Sequence, residues 1–391
     1  MTRIRSFVAP SDVARAALGW GAFAALLLLG PVLEPPVPAV VLVLALIAVV
    51  AVITVCAFGV VKQAEALAHR LGDPYGSLVL TLSIVLIEVV LIAAVMLGPG
   101  EHATIARDSV MAVSMIILNL VIGLCLLVGG LRHGGLAHNR TGTSAYLAML
   151  VVLAGLAFGL PAVIGEGGAY TAGQAVPVLV LTLGAYAFFL VRQTGAQADD
   201  FREVDERLVA RAASRGAGAP AGAVATAVEA PERVGVVLRR HRTEVLVRLG
   251  VLVVTVLPIV LLSHDMATLL DDGLGRLGAP VALAGVLIAT IVFLPESITA
   301  VRAALGGEVQ RVVNLCHGAL VSTVGLTIPA VLVIGLVTGQ TVLLAESPAN
   351  ALMLGITLLL SVTTFTARRV TAVHGAVHLV VFAVYGLVLF A

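Results

Sequence analysis

Charge-free apolar stretches recur along almost the whole chain, each long enough to cross the hydrocarbon core of a bilayer as a helix. Delimited by charged residues, they run 16–33, 37–61, 75–98, 109–131, 145–165, 174–193, 245–263, 279–304, 309–336, 347–367 and 370–391, eleven in all. The first follows Arg3, Arg5 and Arg15, but its apolar core is long and no small-residue cleavage pattern precedes Glu34, so it reads as an uncleaved helix. One long polar segment, 194–243, interrupts the series. It opens with Asp199-Asp200-Phe201-Arg202-Glu203 and continues through an Ala/Gly/Pro-rich run that cannot bury a core. We expect a flexible linker there, with a short helix around 200–213 and an acidic cluster that is simply solvated.

Composition agrees with this pattern. The chain is 60% hydrophobic and 12% charged, where soluble domains carry about a quarter charged residues. The fold class expected is therefore an all-α polytopic membrane protein with about 11 transmembrane helices. A net charge of +1, with no basic patch interleaved with aromatics, gives no reason to expect nucleic acid. Cys56, Cys125 and Cys316 all lie in apolar runs and read as small packing residues, neither a disulfide framework nor a zinc cage. With the N-terminus inside, all of the 23 basic residues except Arg107 and Arg276 fall on the cytoplasmic side, while the outer loops carry Glu34, Glu101, Asp108, Glu166, Asp265, Asp271, Asp272 and Glu346. The positive-inside rule thus predicts an inner-membrane protein with a cytoplasmic N-terminus and, after eleven spans, an external C-terminus.

The two halves resemble each other. Arg70-Leu71-Gly72-Asp73-Pro74 leads into a span containing Glu88, and Arg276-Leu277-Gly278-Ala279-Pro280 leads into one containing Glu296. An amphipathic stretch (Glu65–Arg70; Thr268–Arg276) precedes each copy, and a loop ending in Arg107 or Arg311 follows it. Because the first motif lies inside and the second outside, the copies are inverted. The organisation expected is an extra N-terminal helix (1–36), repeat one (37–193), a cytoplasmic linker (194–243) and repeat two (244–391). Inverted repeats give inward-open and outward-open states of similar energy around a midplane site, which is the requirement of alternating access.

Glu88 and Glu296 are the acidic residues deep within spans. A charge at the bilayer centre costs roughly 2.5–3.5 kcal/mol on insertion scales, so each carboxylate must be protonated or bound to a cation. No Lys or Arg lies mid-span to pair with either. Two facing carboxylates that hold protons or a cation, but not both together, make a coupled exchanger. Oxygen ligands surround them in the sequence: Thr81, two turns before Glu88; Thr299, three residues after Glu296; Ser114 and Asn119 in the fourth span; and Asn314, Ser322 and Thr323 in the ninth. Pro295 frees the carbonyl of Ile291, so the helix can break beside Glu296 and present backbone oxygen to a cation. Such a hard-oxygen set suits calcium or an alkali cation.

The blocks Glu65-Ala66-Leu67-Ala68-His69-Arg70-Leu71-Gly72 through Leu80–Glu88, and Leu294-Pro295-Glu296-Ser297-Ile298-Thr299-Ala300-Val301-Arg302 through Val313-Asn314-Leu315, resemble the calcium/proton exchanger branch of the calcium:cation antiporter superfamily, in particular its bacterial ChaA-type members. The resemblance covers both repeats. It implies an eleven-helix exchanger whose two acidic motifs, here Glu88 and Glu296, cross at the centre and bind the cation, supported approximately by Asn119 and by Ser322 with Thr323. Most calcium exchangers carry Gly-Asn before the motif acid, where this chain has Ile84-Val85 and Val292-Phe293. The function expected is calcium/proton antiport, with sodium or potassium/proton antiport as the alternative and a passive cation channel as the rival class. No cofactor is expected, the partners being lipid, inorganic cations and protons, with homo-oligomerisation left open.

Three further signals remain. His317, beside Cys316, is a candidate proton relay. His374 and His378, spaced i, i+4, read as packing or relay residues because no third metal ligand is evident. Gly155 and Gly159 form a Gly-x-x-x-Gly pair that would allow close helix packing. A membrane hydrolase is set aside, since no nucleophile has an adjacent base and no closed metal-ligand set appears.

Overall fold

A computed structural model of the chain describes residues 8–33, 37–71, 75–97, 103–204, 241–280 and 282–390. They form eleven long helices: α1 (Pro10–Leu33), α2 (Ala39–Leu71), α3 (Tyr75–Met96), α4 (Ile105–His133), α5 (Arg140–Ile164), α6 (Ala172–Thr194), α7 (Arg242–Leu277), α8 (Ala282–Gly306), α9 (Val309–Thr338), α10 (Pro348–Thr366) and α11 (Ala372–Leu389). Ten of these are long and apolar enough to cross a membrane, and α3 completes the eleven. Large apolar side chains such as Leu28, Val40, Val163, Val191 and Leu387 are exposed, as lipid-facing residues are in a multi-pass protein.

Local chemistry sets the ends of these helices. Asn139 accepts from the amides of Thr141 and Gly142 to start α5, and Ser347 accepts from Asn350 N with Pro348 in the first turn of α10. Thr171 with Gln174, and Thr371 with His374, close capping boxes on α6 and α11. Left-handed Gly278 and Gly339 end α7 and α9. The charge-delimited spans were too short where helices continue through polar residues. Lys62 to Leu71 belong to α2, and His264 to Leu277 belong to α7, so the two amphipathic stretches are ends of helices and not separate elements. The helix expected around 200–213 is a single 3-10 turn at Ala198–Phe201 as far as the chain is described; the rest of the linker, residues 205–240, and the Gly72–Pro74 part of the first motif lie outside the described residues.

With five helices in each repeat, the second begins on the membrane face opposite the first. Contacts obey the resulting two-fold relation. The long helices α2 and α7 pack together, as do α5 and α10; α3 packs on α9 and α8 on α4; α6 packs on the end of α9 and α11 on the end of α4. Two small backbone pairings repeat the relation on opposite faces. Leu136–Ala137, between α4 and α5, pairs antiparallel with Arg369–Val370, between α10 and α11. Ala169, between α5 and α6, bridges Leu343, between α9 and α10. Each loop pair is the other's counterpart under exchange of the repeats.

Two glycines mark the tightest helix crossing. A Cβ on Gly375 of α11 would sit 2.5 Å from the carbonyl oxygen of Gly123 on α4. Gly155 and Gly159 do not play the close-packing role expected of them, because nothing lies within 4 Å of either Cβ position; they form a π turn in α5 instead.

Candidate functional site

The site lies where α3 and α8 meet the middles of α9 and α4. At those points both crossing helices leave the α-helical ladder for one π turn, Ile116–Val121 in α4 and Thr323–Thr327 in α9. Such turns widen the helix by one residue and redirect side chains, and they concentrate at functional sites. The turn of α9 packs on α3, which carries Glu88, and the turn of α4 packs on α8, which carries Glu296.

Both glutamates are buried, at 1% and 9% exposure. Thr323 Oγ1 donates to Glu88 Oε2 at 2.6 Å. Glu88 Oε1 and both oxygens of Glu296 have no hydrogen-bond partner among the described residues, and neither carboxylate joins an ion pair there. Leaving buried carboxylate oxygens without donors is expensive, about 1–3 kcal/mol for a neutral group and more for a charged one. A proton or a cation at those oxygens removes that cost, which is what the arrangement can do chemically.

α8 does not break at Pro295, contrary to the sequence expectation; it runs unbroken from Ala282 to Gly306. The proline leaves the Ile291 carbonyl without its helical donor, and the nearby hydroxyls bond other carbonyls: Ser297 Oγ donates to Phe293 O at 2.7 Å and Thr299 Oγ1 to Pro295 O at 3.0 Å. Thr299 thereby spends its proton on its own helix while its side of α8 lines a cavity of about 590 Å³. That cavity is bounded by Arg15 of α1, Lys62 and Glu65 of α2, and Pro295, Thr299 and Arg302 of α8. It opens on the face that carries the N-terminus of α1 and approaches Glu296 along α8. Glu65 lies close enough for its charge to act on Glu296.

The other residues singled out from the sequence are distributed as follows. Asn119, in the π turn of α4, donates to Thr357 Oγ1 of α10 at 2.8 Å, and its Oδ1 meets His378 Nδ1 of α11 at 3.3 Å. His378 Nε2 meets Thr364 at 3.1 Å. Ser322 accepts from Tyr186 of α6 at 3.0 Å and donates to Gly318 O. Ser114 donates to Val110 O. Asn314 lies away from the glutamates, bonded to Gln310 and to the carbonyl of Phe201. His317 faces an aromatic group, stacked on Tyr146 at 6.1 Å and edge-on to Phe365 at 5.1 Å, with Nε2 unpartnered among the described residues. His374 caps α11 through Thr371. The side chain of Thr81 lies outside the described residues.

Tyr186, Thr357 and Thr364 were not singled out from the sequence. The signal was available for α10, where Thr357, Ser361 and Thr364 recur at i, i+4, i+7 and form a buried polar stripe in an apolar helix.

Comparison with known proteins adds three findings. A family model described as sodium/calcium exchanger protein matches residues 41–195 and 247–391. The chain is 34% identical over 336 residues to the putative ionic transporter y4hA of Sinorhizobium fredii (85% of each chain), and 30% identical over 336 residues to the sodium-potassium/proton antiporter ChaA of Escherichia coli (86% of each). Its fold matches the solved structure of the H+/Ca2+ exchanger CAX with a TM-score of 0.65 (15% identity, 96% of this chain and 87% of that one), and that of native YfkE with 0.63 (16% identity, 95% and 99%).

Proposed function

The chain belongs to the sodium/calcium exchanger protein family, and from that premise we propose that it is a secondary antiporter exchanging an inorganic cation for protons at Glu88 and Glu296. The observation that carries this reading is the pair of buried carboxylates, one from each repeat, with three oxygens lacking a donor among the described residues. Ionised, the pair carries two negative charges, which one calcium ion or two protons neutralise. The two loads compete for the same oxygens, so one cannot bind until the other leaves. Thr323 orients Glu88 for either load, with Thr81, Ser114, Asn119, Ser322 and Thr299 as further oxygen-bearing side chains on the same helices, while Asn314 is held away by Gln310 and the Phe201 carbonyl. Among these, Asn119 acts through its tie to Thr357 and His378.

Calcium is the cation proposed, on the charge balance. Sodium or potassium is the second reading. It is favoured by the absence of an amide side chain at residues 84–85 and 292–293, which leaves fewer neutral oxygens to complete a calcium shell. The relative named as a sodium-potassium/proton antiporter points the same way.

The orientation proposed puts the N-terminal face in the cytoplasm of an inner membrane. Among the described residues that face carries Arg15, Lys62, Arg132, Arg140, Arg192, Arg202, Arg242, Arg248, Arg302, Arg311, Arg368 and Arg369, against Arg107 and Arg276 opposite. The cavity beside α8 is then the cytoplasmic access route.

The test uses everted vesicles with an acid interior, following proton release on separate addition of calcium, sodium or potassium. Release on one of these cations, lost in both Glu88→Gln and Glu296→Gln, is the expected result. Saturable exchange retained in both variants overturns the site, and cation flux without proton movement overturns antiport.

A further inference from the structure

A second group of buried charges lies far from the glutamate pair, on the face opposite the N-terminus of α1. Arg107 and Asp108 stand in the first turn of α4, and Glu346 stands in the loop between α9 and α10. Arg107 directs Nε and Nη2 to Asp108 Oδ1, each at 2.9 Å, and Nη1 to the carbonyl of Ala345 at 2.9 Å. Its approach to Glu346 is 3.8 Å, beyond hydrogen-bond range. Asn350 donates to Glu346 Oε2 at 2.9 Å, while Oε1 is buried with no partner among the described residues. The Glu346 side chain has no exposed surface and that of Asp108 is 6% exposed.

The charges do not balance as drawn. Among the described residues one guanidinium faces two buried carboxylates, and it has committed its donors to Asp108 and to a backbone carbonyl. A purely structural ion pair would leave no surplus carboxylate in the interior. We propose that Glu346 is a second proton-binding site, separate from the glutamate pair, and that its proton latches the α9–α10 loop onto the start of α4.

The loop is built as a strap. Leu343 N–H donates to Ala103 O (2.9 Å), and the amides of Leu344 and Ala345 donate to Gly168 O (3.1 and 3.0 Å). It therefore ties together α4, the α5–α6 loop and α10, and α4 is the helix whose π turn packs on α8 beside Glu296. With the proton on Glu346, Arg107 and Asp108 neutralise each other and the strap is closed. Without it a second ionised carboxylate is trapped in the interior, and release of the strap into water relieves the charge.

Among the described residues the charged groups acting on Glu346 are Arg107 and Asp108; Tyr385 of α11 is within electrostatic reach of both carboxylates, and the α5–α6 loop, which also carries Glu166, meets the strap through the Gly168 carbonyl. Burial lifts the Glu346 carboxyl from 4.5 to about 7, against the opposing pull of the Asn350 amide and the Arg107 charge. The closed strap thus holds its proton more tightly than the open one. Its stability is complete below about pH 4.5, falls as the pH rises towards 7, and changes little above that.

The experiment is amide hydrogen exchange at Leu343, Leu344 and Ala345 in the full-length protein, corrected for intrinsic chemical rates, with no transported cation present. Protection in the wild type should fall at least about tenfold between pH 5 and 7.5, one decade being the effect of a single unit of linked shift. Glu346→Gln, neutral at every pH, should abolish the fall. Asn350→Ala, which removes a donor to the ionised form, should extend the fall to higher pH. A fall that persists in Glu346→Gln, a wild type with no fall, or an Asn350→Ala profile that matches wild type overturns the latch. No cation is transported in this measurement, so its failure is distinct from failure of the antiport reading.

Discussion

Thr323→Val isolates the one protein hydrogen bond that Glu88 receives among the described residues. Valine keeps the shape of the side chain and removes only the hydroxyl that donates to Oε2 at 2.6 Å. Hydrogen bonds to charged groups contribute about 1.5–3 kcal/mol, and every 1.4 kcal/mol is tenfold in an equilibrium constant. The bond favours the ionised carboxylate, which on the proposed antiport is the form that takes the cation, while a protonated carboxyl loses much less with it. The variant should therefore raise the apparent KM for the transported cation by roughly 10- to 100-fold at neutral pH. Its maximal rate should stay within a few-fold of wild type, because no other contact at the site changes. Thr323→Ser, which keeps the donor, should restore KM. The assay is cation-dependent proton flux in proteoliposomes, with the cation titrated at fixed pH. A KM within twofold of wild type in a folded Thr323→Val protein would refute the reasoning, since Thr323 would then be packing and not addressing the carboxylate.

Two more outcomes follow from the geometry. Gly375→Ala forces a Cβ against the carbonyl of Gly123 and the amide of Leu127, an overpacking that costs about 1–3 kcal/mol. It should lower the melting temperature in detergent, whereas Gly155→Ala, with nothing within 4 Å, should not. In a cysteine-free background, cysteine at Ile298 in the access cavity should react with an impermeant thiol reagent from the N-terminal face. Cysteine at Val90, which stands two residues past Glu88 as Ile298 stands past Glu296, should react from the opposite face when the gradients are reversed. Reaction of both positions under one condition would indicate a continuous pore.

Periodicity and charge made the eleven helices legible because lipid admits few alternatives: an apolar run of that length is a helix, and a charge inside it needs a reason. The inverted repeat was legible through the two Arg-Leu-Gly motifs, although one of them extends beyond the described residues. What sequence did not reveal is where helices continue through polar residues. Lys62 and His264 read as boundaries but lie within α2 and α7, because long helices project past the hydrocarbon core. Pro295 read as a possible break, but α8 runs on through it from Ala282 to Gly306. The partners of Asn119 and Ser322 were illegible for a different reason. Thr357, His378 and Tyr186 come from distant segments, and only the crossing of α4 with α10 and α11, and of α9 with α6, brings them near.

The same crossings explain why equivalent residues occupy unequal environments. Under exchange of the repeats Glu88 and Glu296 are counterparts, yet Glu88 is held by a hydroxyl from the turn of α9, while Glu296 has no such donor among the described residues and has a cavity beside it. A symmetric architecture in which both glutamates were held alike would be open to both faces or to neither. On the proposed antiport, inequality between the copies is what access from one side requires, and interchanging the two environments would yield access from the other. Because the interchange replaces one set of contacts by an equivalent set, the two states can differ by only a few kcal/mol, within the range that loading and unloading the carboxylates can drive. The polar ties outside the pair, Asn119 to Thr357 and His378, and Ser322 to Tyr186, anchor each crossing helix to the end of the opposite repeat. In the proposed cycle they leave α3 and α8, the helices that carry Glu88 and Glu296, as the elements whose surroundings change.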